Sequence, residues 1–172
     1  SIIERIAKKH GIPVTTTFHA KGIISEHDDI NLGLVGIRAT PRARYAFENA
    51  DCIIALGIKA SERTLPTLPH NLIHVNINKD VLVGNYPIHG KVEDFLLNIS
   101  FTKTDWLDEI LEIDNVIEMD GLDDDLKPQA AISQILNKFP DNTIAADAGS
   151  HTTWTSLLKK STKPGQLLFS GG

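Results

Sequence analysis

The chain has 172 residues, 41% hydrophobic and 23% charged, with a net charge of −5. That balance suits a globular fold and excludes a disordered one. The acidic charge, and the want of any basic run interleaved with aromatics, argue against nucleic acid as a partner, and no apolar run approaches membrane-spanning length.

The first residues already read as a helix. Ile2, Ile3 and Ile6 share one face, with charges opposite, and His10-Gly11 ends it, since glycine takes the left-handed C-terminal position readily. Ile12 to Phe18 is a β-branched strand with Pro13 near its start. Ala20 to Thr40 is expected to be a long glycine-rich connection. Pro41 then suits the first turn of a helix over 42–49. Cys52 to Leu56 reads as a buried strand closed by Gly57, which makes the single cysteine a small core hydrophobe. One cysteine and no signal peptide fit a reducing, cytoplasmic setting. A proline-containing loop leads to a strand over 72–77 and a helix over 92–99.

Strands alternating with helices imply a doubly wound, mostly parallel, Rossmann-like α/β sheet over residues 1–100. The crossover rule puts strand C-terminal ends on one edge, where ligands bind in such sheets. Lys21, Gly57 and Asn78 are expected there, as candidates for a nucleotide. The start at a helix predicts that this unit lacks its first strand. Residues 101–127, with a short amphipathic helix at 105–113 and an acidic run at 120–125, read as an inter-domain linker. From 128 a second α/β unit begins: helix 129–139, strand 143–146, helix 153–160, strand 167–170. It breaks off at Gly171-Gly172, and a half-domain of this kind is expected to expose apolar strand faces.

No glycine-rich dinucleotide fingerprint, phosphate-binding loop or nucleophile elbow is present. The seven histidines lack metal-ligand spacing, so neither a metal ligand nor a catalytic residue is assigned. The strongest local signal is Asp147-Ala148-Gly149-Ser150-His151-Thr152, between a strand and a helix. Gly149 lets the backbone approach a ligand. Ser150, His151 and Thr152 supply donors at a positive helix N-terminus, a combination that suits a phosphate or diphosphate. A plain helix cap, with His151 at the surface, accounts for the same residues, and composition alone favours it.

Gly22 to Ala50, followed by Asp51-Cys52-Ile53-Ile54-Ala55-Leu56-Gly57, resembles the central domain of the acetolactate synthase group of thiamine-diphosphate enzymes. Residues 128–154, with Asp147-x-Gly149-x-His151 and Trp154, are similar to the start of that family's C-terminal, diphosphate-binding domain. Leu167 to Gly172 resembles the run into its next glycine-rich cofactor contact. The resemblance implies that Gly149, Ser150 and His151 face the diphosphate, and that Gly171 and Gly172 stand just before contacts to the aminopyrimidine. It implies thiamine diphosphate and Mg2+ as cofactors of a longer, homo-oligomeric parent acting on a 2-oxo acid. The activating glutamate and the magnesium motif are then expected outside this chain, which would be inactive alone. The family's central domain also holds FAD in acetolactate synthases. Here Lys59 to Arg63, Asn76, Asn78 and Lys91 depart from its acidic pattern, which counts against FAD and against acetolactate as the product. A stand-alone nucleotide-binding subunit and a structural dimerisation domain are the alternatives.

Overall fold

The computed structural model describes residues 1–61, 63–120, 122–123 and 127–170. Its first helix, α1 (Ile2–His10), is stopped at both ends by its own sequence. Ser1 and Glu4 form a reciprocal capping box, and Gly11 closes the helix at φ 69°. Lys8 joins Glu4 at 2.9 Å and Asp28 at 2.5 Å, tying α1 to the loop that follows β1 (Val14–Thr16).

That loop contains a 3-10 turn (Phe18–Ala20) and leads into β2 (Asn31–Leu34), which pairs with β1 in parallel. The expected long connection therefore holds a strand. All four residues of β2 are buried, so the alternation that marks a half-exposed strand is missing from the sequence. Next comes α2 (Pro41–Asn49), with Thr40 as N-cap and Pro41 in its first turn. β3 (Ile53–Leu56), β4 (Leu72–Asn76) and β5 (Tyr86–His89) form a parallel sheet in that order. β5, at the sheet edge, carries Pro87, which such a position tolerates; its short, proline-broken sequence gave no strand signal. Cys52 lies just before β3 and is exposed, not buried. Partial desolvation by its neighbours and the Asp51 carboxylate raise its thiol pKa, so it is no activated nucleophile.

α3 (Val92–Asn98) and α4 (Trp106–Leu111) follow. α4 lies in the stretch expected as linker, yet its Ile110 is fully buried with Leu32, Ala43 and Ala46. Arg42 reinforces the join: its Nε donates to the Ile113 carbonyl at 2.9 Å and its Nη2 to that of Leu111 at 2.6 Å. Leu107 also packs on a second cluster, Ala7, Ile24 and Ile30. A third joins Ala55 of β3 and Leu72 of β4 to Leu65.

The C-terminal unit runs α5 (Pro128–Lys138), β6 (Ile144–Ala146), α6 (Ser150–Leu158) and β7 (Leu167–Phe169). β6 and β7 pair in parallel. Ala145 and its register partner Leu168 are both exposed, so this small sheet does present an apolar face. Strand pairing is parallel throughout the described residues, and helices interleave with the strands, the α/β, Rossmann-like class expected from the alternation. Among the described residues no helix is long and apolar enough to cross a membrane.

Candidate functional site

β6 ends at Ala146, and the chain turns through Asp147, Ala148 and Gly149 into α6. Gly149 has φ 149° and ψ 176°, a region open to glycine and closed to other residues. A second constraint acts on the same atom. A Cβ on Gly149 would stand 2.8 Å from both Cε1 and Nδ1 of His151, so the imidazole lies across the glycine where a side chain would otherwise be. α6 begins at Ser150, three residues earlier than the sequence suggested, and Ser150 and His151 belong to its first turn. Backbone N–H groups there have no carbonyl one turn back to bond. Thr152 is spent locally: its hydroxyl donates to the Asp147 carbonyl at 2.6 Å and its N–H to that of Gly149 at 3.1 Å. Its hydroxyl is therefore not the free donor expected. Asp147 accepts from the Ala148 N–H at 2.8 Å, which stiffens the turn.

Among the described residues neither the Ser150 hydroxyl nor the His151 ring makes a hydrogen bond. Residues 147–151 are all exposed. The turn is thus an exposed nine-residue helix N-terminus with uncommitted donors and a backbone bare of side chain at its centre, which fits an anionic diphosphate. Gly171 and Gly172 lie outside the described residues.

Phe169 stands at this edge as register partner of Ala146. Its ring meets Phe18 edge-on at 5.9 Å and His19 at 6.3 Å. The 3-10 turn after β1 thereby reaches the exits of β6 and β7. Sequence reasoning missed this, because the partners are some 150 positions apart.

The three residues expected at a nucleotide edge each make contacts within the fold. Lys21 pairs with Glu26 at 2.5 Å, with side chains only 2% and 4% exposed. Burial pulls the Lys21 ammonium below the ordinary lysine range; Glu26 opposes this, and Lys160 and Lys159 add to it. Gly57, at φ 68°, donates its N–H to Val75 at 2.9 Å and ends β3. Asn78 Oδ1 accepts from the Asp80 N–H at 3.0 Å, capping a 3-10 turn. Beside it, Asn76 Nδ2 donates to the Ile58 carbonyl at 2.8 Å while its Oδ1 accepts from the Asn78 N–H at 2.9 Å. Buried His74 completes the network. Its Nδ1 accepts from the Val83 N–H at 3.1 Å, so Nε2 carries the proton and donates to Ile58 at 3.0 Å. The asparagines that stand where acids were expected are therefore spent inside the fold. No group of three His, Cys, Asp or Glu faces a common point among the described residues.

Comparison with known proteins places the chain among its relatives. Residues 2–99 match the family "Thiamine pyrophosphate enzyme, central domain". The chain is 28% identical to a probable acetolactate synthase large subunit of Methanocaldococcus jannaschii, over 98% of this chain and 33% of that protein. It is 24% identical to acetolactate synthase 1, chloroplastic, of Nicotiana tabacum, over 99% and 29%. It is 27% identical to an acetolactate synthase large subunit of Buchnera aphidicola, over 99% and 34%. The chain spans about a third of the length of the curated relatives it matches. It belongs to the thiamine pyrophosphate enzyme family, of which residues 2–99 form the central domain.

Proposed function

We propose that the chain is part of a thiamine-diphosphate-dependent enzyme resembling acetolactate synthase, and that the turn 147–151 receives the diphosphate. The observation that carries this reading is Gly149: it holds a glycine-only conformation, with the His151 ring laid over it and the first-turn N–H groups of α6 beside it. When bound, the cofactor supplies the electron sink for breaking the bond between the carboxyl and carbonyl carbons of a 2-oxo acid such as pyruvate. The chain's own contribution is to bind and orient. Ser150 and His151 present donors to phosphate oxygens, and bare Gly149 lets those oxygens approach the backbone. The parent would then ligate or release the two-carbon unit, as a homo-oligomer.

The Mg2+ that this reading implies is assigned to no residue here, and the chain alone is proposed to be inactive. Carbon dioxide released from pyruvate by the 172-residue chain with thiamine diphosphate and Mg2+ would overturn that. FAD is not proposed for the central domain, because Asn76 and Asn78 are committed internally. A yellow protein on purification, or flavin quenching at micromolar protein, would show otherwise.

The direct test is His151→Ala in the full-length protein. A hydrogen bond to a charged partner is worth about 1.5–3 kcal/mol, so cofactor affinity should fall on the order of ten- to a hundredfold. His151 is exposed and its ring makes no hydrogen bond among the described residues, so stability should hold. Unchanged affinity with a lowered melting temperature would mean the ring serves only the fold.

A further inference from the structure

The β1–β2 loop grips the C-terminal unit at a place far from the turn itself. Glu26 Oε2 accepts from the Ser161 N–H at 2.7 Å, and the Glu26 N–H donates to the Ser161 carbonyl at 2.9 Å. One residue thus holds both backbone groups of another 135 positions away. Its second carboxylate oxygen is fixed by Lys21. Gly22, at φ 84°, is pressed so close to Lys163 that a Cβ would overlap the Lys163 carbonyl. At the far end of β7, Phe169 sits on Phe18 and His19 from the same loop.

Ser161 follows α6 by three residues, and α6 is a rod of nine, about 13 Å at 1.5 Å per residue. Fixing the end of such a rod fixes where its start points. We propose that Glu26, held by Lys21, is a positioning residue for the turn 147–151: it clasps the end of α6 and thereby sets the helix N-terminus that presents Ser150 and His151. This rests on the reading of that turn as a diphosphate site.

An ion pair suits the task better than it suits stability. A buried pair replaced by apolar groups of similar size often costs a protein nothing, whereas its geometry is directional. Lys21 leaves the Glu26 carboxylate one orientation, with Oε2 toward Ser161. A side chain held only by packing would leave the Ser161 N–H without that acceptor.

Two double variants of the full-length protein separate position from stability. Lys21→Met with Glu26→Gln removes both charges but keeps a carbonyl oxygen for the Ser161 N–H. Lys21→Met with Glu26→Leu removes that acceptor too. Neither leaves a lone buried charge, so both should fold. Backbone hydrogen exchange over residues 147–161 is followed in the cofactor-free protein, and thiamine diphosphate is titrated with Mg2+ present. The Leu variant should exchange faster across α6 and bind the cofactor about tenfold more weakly, the effect of one lost hydrogen bond. The Gln variant should recover both. Equal exchange and equal affinity in the two variants would overturn the proposal, as would an affinity loss that merely follows melting temperature. Should the wild-type protein bind no thiamine diphosphate, the diphosphate reading fails. Exchange then still decides on the clasp: faster in the Leu variant alone supports it, and no difference overturns it.

Discussion

Gly149→Ala puts the turn geometry to its most direct test, because two separate constraints meet at one hydrogen atom. The first is the backbone. With φ 149° and ψ 176°, the position is one that L-residues avoid at a cost of about 1–3 kcal/mol. The second is the imidazole. Its Cε1 and Nδ1 would lie 2.8 Å from the new Cβ, where contact favours about 3.5–4 Å, so the ring must swing off the turn. His151 is exposed, and that swing costs little stability but relocates the donor. Urea unfolding of the cofactor-free full-length protein should therefore show a lowered midpoint at an unchanged slope, equivalent to about 1–3 kcal/mol. Adding His151→Ala to Gly149→Ala should leave the stability loss the same within about 0.5 kcal/mol, since only backbone strain contributes. In cofactor titration the two changes should be far from additive, because each removes the same ring from the same place. Gly149→Ala with full stability and full affinity would show that the turn does not hold this conformation, and the diphosphate reading would lose its main support.

Other consequences concern the fold around the site. Ile110→Ala, at a fully buried position among Leu32, Ala43 and Ala46, should destabilise the central unit by about 2–5 kcal/mol; a loss under half a kcal/mol would mean that α4 is a tether and not core. His74→Ala removes the acceptor of the half-buried Val83 N–H and should cost about 0.5–1.5 kcal/mol for that bond alone, read as a lowered denaturation midpoint. The Lys8 cluster should show in the pH profile. The Lys8 hydrogen bond holds Glu4 below the ordinary carboxylate range, and the Asp28 hydrogen bond leads those that raise Lys8. Glu4 then contributes stability above about pH 4.3 that is lost as pH falls through its lowered pKa, and Lys8 contributes below about pH 10.4 and loses it as pH rises through its raised one. The stability gap between wild type and Lys8→Met should accordingly be flat at neutral pH and close at both extremes. A gap of the same size at pH 3 and pH 7 would refute the linkage.

Much of the molecule was legible because its signals are local. The isoleucine face and closing glycine of α1, the proline opening α2 and the isoleucine run of β3 each act within a few residues, so periodicity and propensity alone place them. The same holds for Gly149, Ser150 and His151, which are consecutive and are brought together by one turn. What stayed hidden depends on contacts between distant parts of the chain. β2 and β5 escaped notice because β2 is buried on all four residues and β5 carries a proline, so neither shows the period of two. Cys52 looked like core because its neighbours are apolar, but the strand starts one residue later. Lys21 shows the limit most clearly. A lysine after a strand looks the same in sequence whether it meets a nucleotide or a carboxylate. The fold set Glu26 five residues on as its partner and Ser161 against that carboxylate. No local pattern encodes a contact of 135 residues' separation; only packing the β1–β2 loop against the end of α6 produces it.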